Sequence, residues 1–196
     1  MIEWPDYEKA TNAAYELLQR YDGGYPQINI FRLVCNYPNI KLHSFSEIAS
    51  RLRITVSEFI TEFSESDMGY TVYDKKNKRW LIFYNDTKCV TTIRFTLAHE
   101  LGHVVLKHEQ DNSSTDREAN CFARNLLCPL PIRQEFNLIT IDDLCSVFCI
   151  SESMAQVVID KTKNDLYYIS NSNYGNVNSN IFFYFSGYKL SELFGY

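Results

Sequence analysis

The stretch Ile93-Arg94-Phe95-Thr96-Leu97-Ala98-His99-Glu100-Leu101-Gly102-His103-Val104-Val105-Leu106 decides how this chain is read. Its apolar residues form a helix-compatible run, so it belongs on a half-buried helix and not on a loop. Positions i and i+4 lie on one face of a helix, and the His99 and His103 imidazoles can therefore reach one ion. A catalytic zinc site has three protein ligands and leaves a fourth position to water, and the residue after the first His of H-E-x-x-H is placed to take a proton from that water. The expected chemistry is metal-assisted peptide hydrolysis, with Zn²⁺ on His99 and His103 and with Glu100 as general base. The competing reading is a pair of hydrogen-bonded helix histidines. Gly102 inside the helix costs about 1 kcal/mol relative to Ala, and either close approach of a hairpin or substrate, or simple tolerance, explains it.

Two histidines leave the site one ligand short. The best source of a third is Asp116-Arg117-Glu118-Ala119-Asn120-Cys121-Phe122-Ala123-Arg124-Asn125-Leu126-Leu127-Cys128-Pro129, a helix with its apolar face on Ala119, Phe122, Ala123, Leu126 and Leu127. At about 100° per residue, Asp116 points roughly 60° from the centre of that face and Glu118 roughly 100° from it. Geometry favours Asp116, and Glu118 is the alternative ligand. Glu118 also suits a capping box with Thr115.

These two stretches together resemble the ImmA/IrrE family of small bacterial zinc metallopeptidases. The resemblance covers mainly residues 69–131, weakly the leading helices, and little beyond Pro131. It implies a gluzincin-like α+β fold and cytoplasmic proteolysis of a regulatory protein, typically a helix-turn-helix repressor encoded alongside in a phage or mobile element. In the family pattern the third ligand is a Glu four residues before an Asn or Asp. Here Asn120 holds the later position and Asp116 the earlier one, so the resemblance also points to Asp116. An aspartate is one methylene shorter, which requires the two helices to approach more closely.

Around this centre, apolar residues at helical spacing predict a first helix over residues 6–20, stopped by Gly23-Gly24. A second helix is expected from Pro26 to Asn36, a short strand over 40–43, and two short helices over 44–63, the second opened by a capping box of Thr55 and Glu58. β-Branched and aromatic residues at 69–73 and 80–84 flank a polar turn and predict a β-hairpin, one strand of which borders the cleft. A free strand edge there would suit an extended peptide; pairing wholly inside the sheet is the competing reading. Residues 139–161 read as helix, tight turn, helix, with Cys149 where Gly often stands. Asp142, Asp143 and Glu152 would repel phosphates, so this pair is expected to pack on the core, and a fainter helix-turn-helix at 48–55 is read the same way. The aromatic segment 166–196 is expected to form a hairpin and a short helix, with a loop over 171–180. His108, in a polar run, is expected to be solvated, and His43 to be structurally ordinary.

Composition sets the outer limits. With 45% hydrophobic and 15% aromatic residues in 196, the chain holds enough for one ordered core. Its net charge of −5 gives no basic surplus for phosphate backbones, so direct nucleic-acid binding is not expected. Six cysteines without a C-x-x-C pair and without a secretory start read as reduced thiols in a cytoplasmic protein, with no second zinc site expected, and no stretch is long and apolar enough to span a membrane. The expected organisation is an N-terminal helical part (1–68), a metallopeptidase core (69–131), and a C-terminal helical pair with aromatic hairpin (132–196) in one compact unit. The alternatives to a protease are a non-catalytic zinc-fold module that binds a repressor or antitoxin, and a transcriptional regulator acting through its helix pairs.

Overall fold

A computed structural model of the chain describes residues 4–20, 27–110 and 112–169. In these residues the fold is α+β, with helices packed on a small mixed sheet. The elements run α1 (Tyr7–Gln19), α2 (Ile30–Asn36), β1 (Ile40–Ser44), α3 (Phe45–Leu52), α4 (Val56–Phe63), β2 (Gly69–Asp74), β3 (Arg79–Tyr84), α5 (Val90–Leu106), α6 (Ser113–Leu127), α7 (Leu130–Glu135), α8 (Ile141–Phe148) and α9 (Glu152–Tyr168). Among the described residues the sheet order is β1-β3-β2; β3 pairs parallel with β1 and antiparallel with β2, so β2 is an outer strand of these three.

Alternation along the strands divides the sheet between two cores. On one face the fully buried Ile82, with Trp80 and Tyr84, joins the main cluster that α5 and α6 fill with Leu97, Leu101, Phe122 and Leu126. Burying each such Leu, Ile or Phe contributes about 1.5–3 kcal/mol. On the other face Tyr70 and Phe83 stack at 4.8 Å and pack with Phe45 and Phe59 of α3 and α4. His43 is nearly buried on this second face, stacked on Phe83 and bonded to Glu47. Strand β2 meets α5 closely at Gly69: a Cβ there would lie 2.5 Å from Thr96 Cγ2 and 2.7 Å from the Phe83 carbonyl oxygen.

The predicted hairpin forms, as does the Thr55–Glu58 capping box, and the site-bearing helix is α5. Several local expectations are corrected. The second helix begins at Ile30 with Asn29 as its cap, because the Asn29 carboxamide accepts from the Arg32 amide; Pro26 lies outside the described residues. Helix α6 begins at Ser113, and its capping box joins Asn112 to Thr115, leaving Glu118 outside it. Leu166, Tyr167 and Tyr168 belong to the last turn of α9, not to a strand; the aromatic segment from Ser170 on, like Gly23-Gly24, lies outside the described residues. Short helix α7, with Pro131 in its first turn, is an element that the sequence pattern does not announce.

The helical pair α8–α9 packs on the core through Leu144, Phe148, Ile150 and Ala155, and Cys149 takes the left-handed turn conformation at φ 53°. Buried Arg94 of α5 fastens this pair. Its guanidinium donates to the carbonyls of Ile28, Phe148 and Cys149 at 2.8–3.1 Å, capping the carbonyl end of α8. Arg124 of α6 and Asp165 of α9 add a buried ion pair with contacts of 2.6 and 2.9 Å. Among the described residues no helix is long and apolar enough to cross a membrane.

Candidate functional site

Helix α5 carries His99, Glu100 and His103 to the side of the molecule where β2 and the start of α6 meet. The two imidazoles, one turn apart, bring their Nε2 atoms to 3.0 Å, and Asp116 Oδ1 lies 3.8 Å from His99 Nε2 and 3.7 Å from His103 Nε2. These three residues form a group whose ligand atoms all lie within 4.8 Å of one another. Ligands at zinc bond lengths of about 2.0–2.1 Å in a tetrahedron are about 3.4 Å apart, so separations of 3.0–3.8 Å bracket what the ion requires. The donor set, two imidazole nitrogens and one carboxylate, matches zinc chemistry as well.

Asp116 reaches this cluster because α5 and α6 run unusually close. A Cβ on Gly102 would lie 3.1 Å from Phe122 Cδ1 and 3.2 Å from Ala119 Cα. Gly102 therefore serves helix against helix, rather than a hairpin or a substrate, and the close approach supplies the reach that an aspartate lacks. Asp116 sits in the first turn of α6, one turn before Ala119.

Glu118 does not join the cluster. Its Oε2 accepts from His108 Nε2 at 2.9 Å and its Oε1 accepts the Asp6 amide at 2.8 Å, at the start of α1. His108 is correspondingly not solvated: its side chain is 7% exposed, with Nδ1 3.0 Å from His103 Nδ1. The cause is the end of α5. Lys107 adopts the left-handed conformation at φ 59°, and the His108 amide bonds back to the His103 carbonyl, a Schellman turn that folds the His108 ring beneath His103. His99 is anchored in parallel, its Nδ1 lying 3.0 Å from Asn120 Oδ1. Burial, followed by the nearby His99 and His108 rings, pushes His103 down to about 3, so this ring is uncharged at neutral pH.

Glu100 is nearly buried, and its Oε2 accepts a 2.7 Å hydrogen bond from the Thr71 hydroxyl on β2. His99, Glu100, His103, Asp116 and Asn120 line a cleft of about 1240 Å³ whose opposite wall is Gly69, Tyr70, Thr71 and Tyr73 of β2. A second groove of about 760 Å³ between α5, α6 and α9 shares Phe95 and Asn120 with it. Thr71, His108 and Asn120 were not read as functional from sequence. Thr71 could have been found from strand alternation, since it faces α5 while Tyr70 faces the second core; His108 carried no such signal, because its place depends on a single left-handed residue.

A sheet of this size backed by a two-histidine helix, with a carboxylate delivered from the next helix, defines a metallopeptidase-type domain. Residues 43–157 match the model of the peptidase family described as the IrrE N-terminal-like domain, more than half of the chain, and the protein belongs to that family. No curated protein matches the chain.

Proposed function

We propose that this protein is a zinc-dependent endopeptidase acting on a regulatory protein, with His99, His103 and Asp116 as metal ligands and Glu100 as general base. The observation that carries this reading is the convergence of His99 Nε2, His103 Nε2 and Asp116 Oδ1 on one point beside a cleft wall made by an outer strand. When bound there, a zinc ion supplies Lewis acidity to a water molecule and to a peptide carbonyl. Glu100 takes the proton of the attacking water and returns it to the departing amine. The Thr71 hydroxyl occupies one oxygen of that carboxylate and fixes its plane. The outer strand β2 offers backbone donors and acceptors to an extended substrate, which accounts for a protein rather than a small-molecule target. Family resemblance favours a helix-turn-helix repressor of a phage or mobile element as that target, and a cytoplasmic site of action.

The test is zinc per chain by elemental mass spectrometry, followed by co-expression with the repressor encoded alongside. One zinc in the wild type, lost in Asp116→Ala and kept in Glu118→Ala at reduced affinity, is the expected metal result. Fragments of the repressor with wild type and none with Glu100→Gln, which keeps its zinc, is the expected activity result. An intact repressor that co-purifies with the zinc-loaded wild type would instead make the protein a binding module.

A further inference from the structure

Hydrogen-bond polarity fixes more of this site than the ligands themselves. Glu118 sits at the far end of a three-member chain, Glu118 Oε2 to His108 Nε2 at 2.9 Å and His108 Nδ1 to His103 Nδ1 at 3.0 Å. A carboxylate only accepts, so a neutral His108 carries its single proton on Nε2, which leaves Nδ1 as an acceptor. His103 must then donate from Nδ1, which leaves its Nε2 lone pair directed toward His99 and Asp116. We infer that His108 and Glu118 are positioning residues that lock His103 in its Nδ1–H tautomer and so aim its Nε2 lone pair at the His99–His103–Asp116 cluster.

Metal-ligating histidines usually donate their second N–H directly to a carboxylate or carbonyl. In this chain a second imidazole is interposed, and both members of the extension are built into the fold. His108 is 7% and Glu118 12% exposed, and the other Glu118 oxygen is held by the Asp6 amide at 2.8 Å. That last bond gives the chain its direction, because a backbone amide cannot turn round to accept. The inference rests on the zinc reading of the site for its purpose, but the tautomer itself is a property of the metal-free protein.

Glu118→Gln tests it with almost no change in shape. The Asp6 amide retains the oxygen of the new carboxamide on its side, so the carboxamide NH₂ faces His108 Nε2 and makes it an acceptor. His108 then donates from Nδ1, His103 must accept there, and the His103 proton moves to Nε2, where it blocks the lone pair. Imidazole ¹⁵N NMR of the zinc-free proteins reads the tautomer, and competition against a chromophoric chelator at neutral pH reads Zn²⁺ affinity. The expected result is Nδ1–H on His103 in the wild type, Nε2–H in Glu118→Gln, and zinc affinity lowered roughly 10–100-fold in Glu118→Gln and in His108→Ala. A His103 tautomer unchanged in Glu118→Gln, with zinc affinity within about threefold of wild type in both variants, would overturn the relay while leaving the zinc reading intact. A wild type that binds no Zn²⁺ but whose tautomer reverses in Glu118→Gln would uphold the relay and remove the zinc reading instead.

Discussion

Glu100 is the residue on which turnover depends in the proposed reaction, and its surroundings make that dependence measurable. Glu100→Gln removes the base without removing a ligand and should lower kcat by about 100-fold or more with one zinc retained per chain. Thr71→Val removes the hydroxyl that holds the Glu100 carboxylate. A hydrogen bond to a charged group contributes about 1.5–3 kcal/mol, so kcat should fall roughly 10–100-fold, with zinc content unchanged and Thr71→Ser restoring most of it. Wild-type kcat in Thr71→Val would show that the contact does not orient the base. At the other end of α5, exposed Cys89 caps the helix and its thiol is drawn down to about 7 by contacts with Thr91 and Thr92. The thiolate is the form that reacts, so alkylation of Cys89 by iodoacetamide should rise steeply between about pH 6 and 8 and level off above it. Buried Cys121 and Cys128, whose thiols burial pushes up, should react only after unfolding, and peptide mapping of the alkylated protein separates the sites.

At the scale of elements, the site is made by the closeness of α5 and α6. Gly102 permits that closeness, and any side chain there meets Ala119 Cα at 3.2 Å, a backbone atom that yields only if the helices move apart. Gly102→Val should therefore cost about 1–3 kcal/mol of stability through overpacking, read as a lower midpoint in urea. The same separation carries Asp116 away from His99 and His103, so zinc affinity should fall in the folded variant. Unchanged stability and affinity would mean that the helices have room to spare. Residues at this junction were only partly legible in sequence. H-E-x-x-H set the helix and the pointing of both imidazoles, because those follow from periodicity alone. The distance between two helices is a packing quantity, and the sequence of neither helix states it.

Across the whole molecule, Arg94 ties three separate pieces together: the approach to α2, helix α5, and the turn from α8 to α9. Replacing it by Met keeps much of the side-chain volume but leaves the Ile28, Phe148 and Cys149 carbonyls without the guanidinium. An unsatisfied buried polar group costs about 1–3 kcal/mol, so Arg94→Met should lower stability by roughly 3 kcal/mol or more in denaturant titration, although no ligand is touched. A loss under about 1 kcal/mol would show that water replaces the guanidinium at these carbonyls. The acidic N-terminal turn of α8 and the packing of Phe148 and Ile150 into the main core give this helical pair a structural task.

The sequence by itself determined the elements and the chemistry of their faces: the α5 helix with His99, Glu100 and His103, the hairpin of β2 and β3, the capping box at Thr55, and the membership of both motif stretches in one peptidase pattern. Each of these follows from local periodicity or from a pair of residues a fixed number of positions apart. Only the tertiary structure decided between Asp116 and Glu118 as the residue beside the histidines, turned His108 from an expected surface side chain into His103's partner, and set Thr71 against Glu100. Those outcomes depend on how far two helices stand apart, on one left-handed residue at Lys107, and on which face of an outer strand meets α5. They are relations between elements distant in sequence, fixed when the core packs and not before.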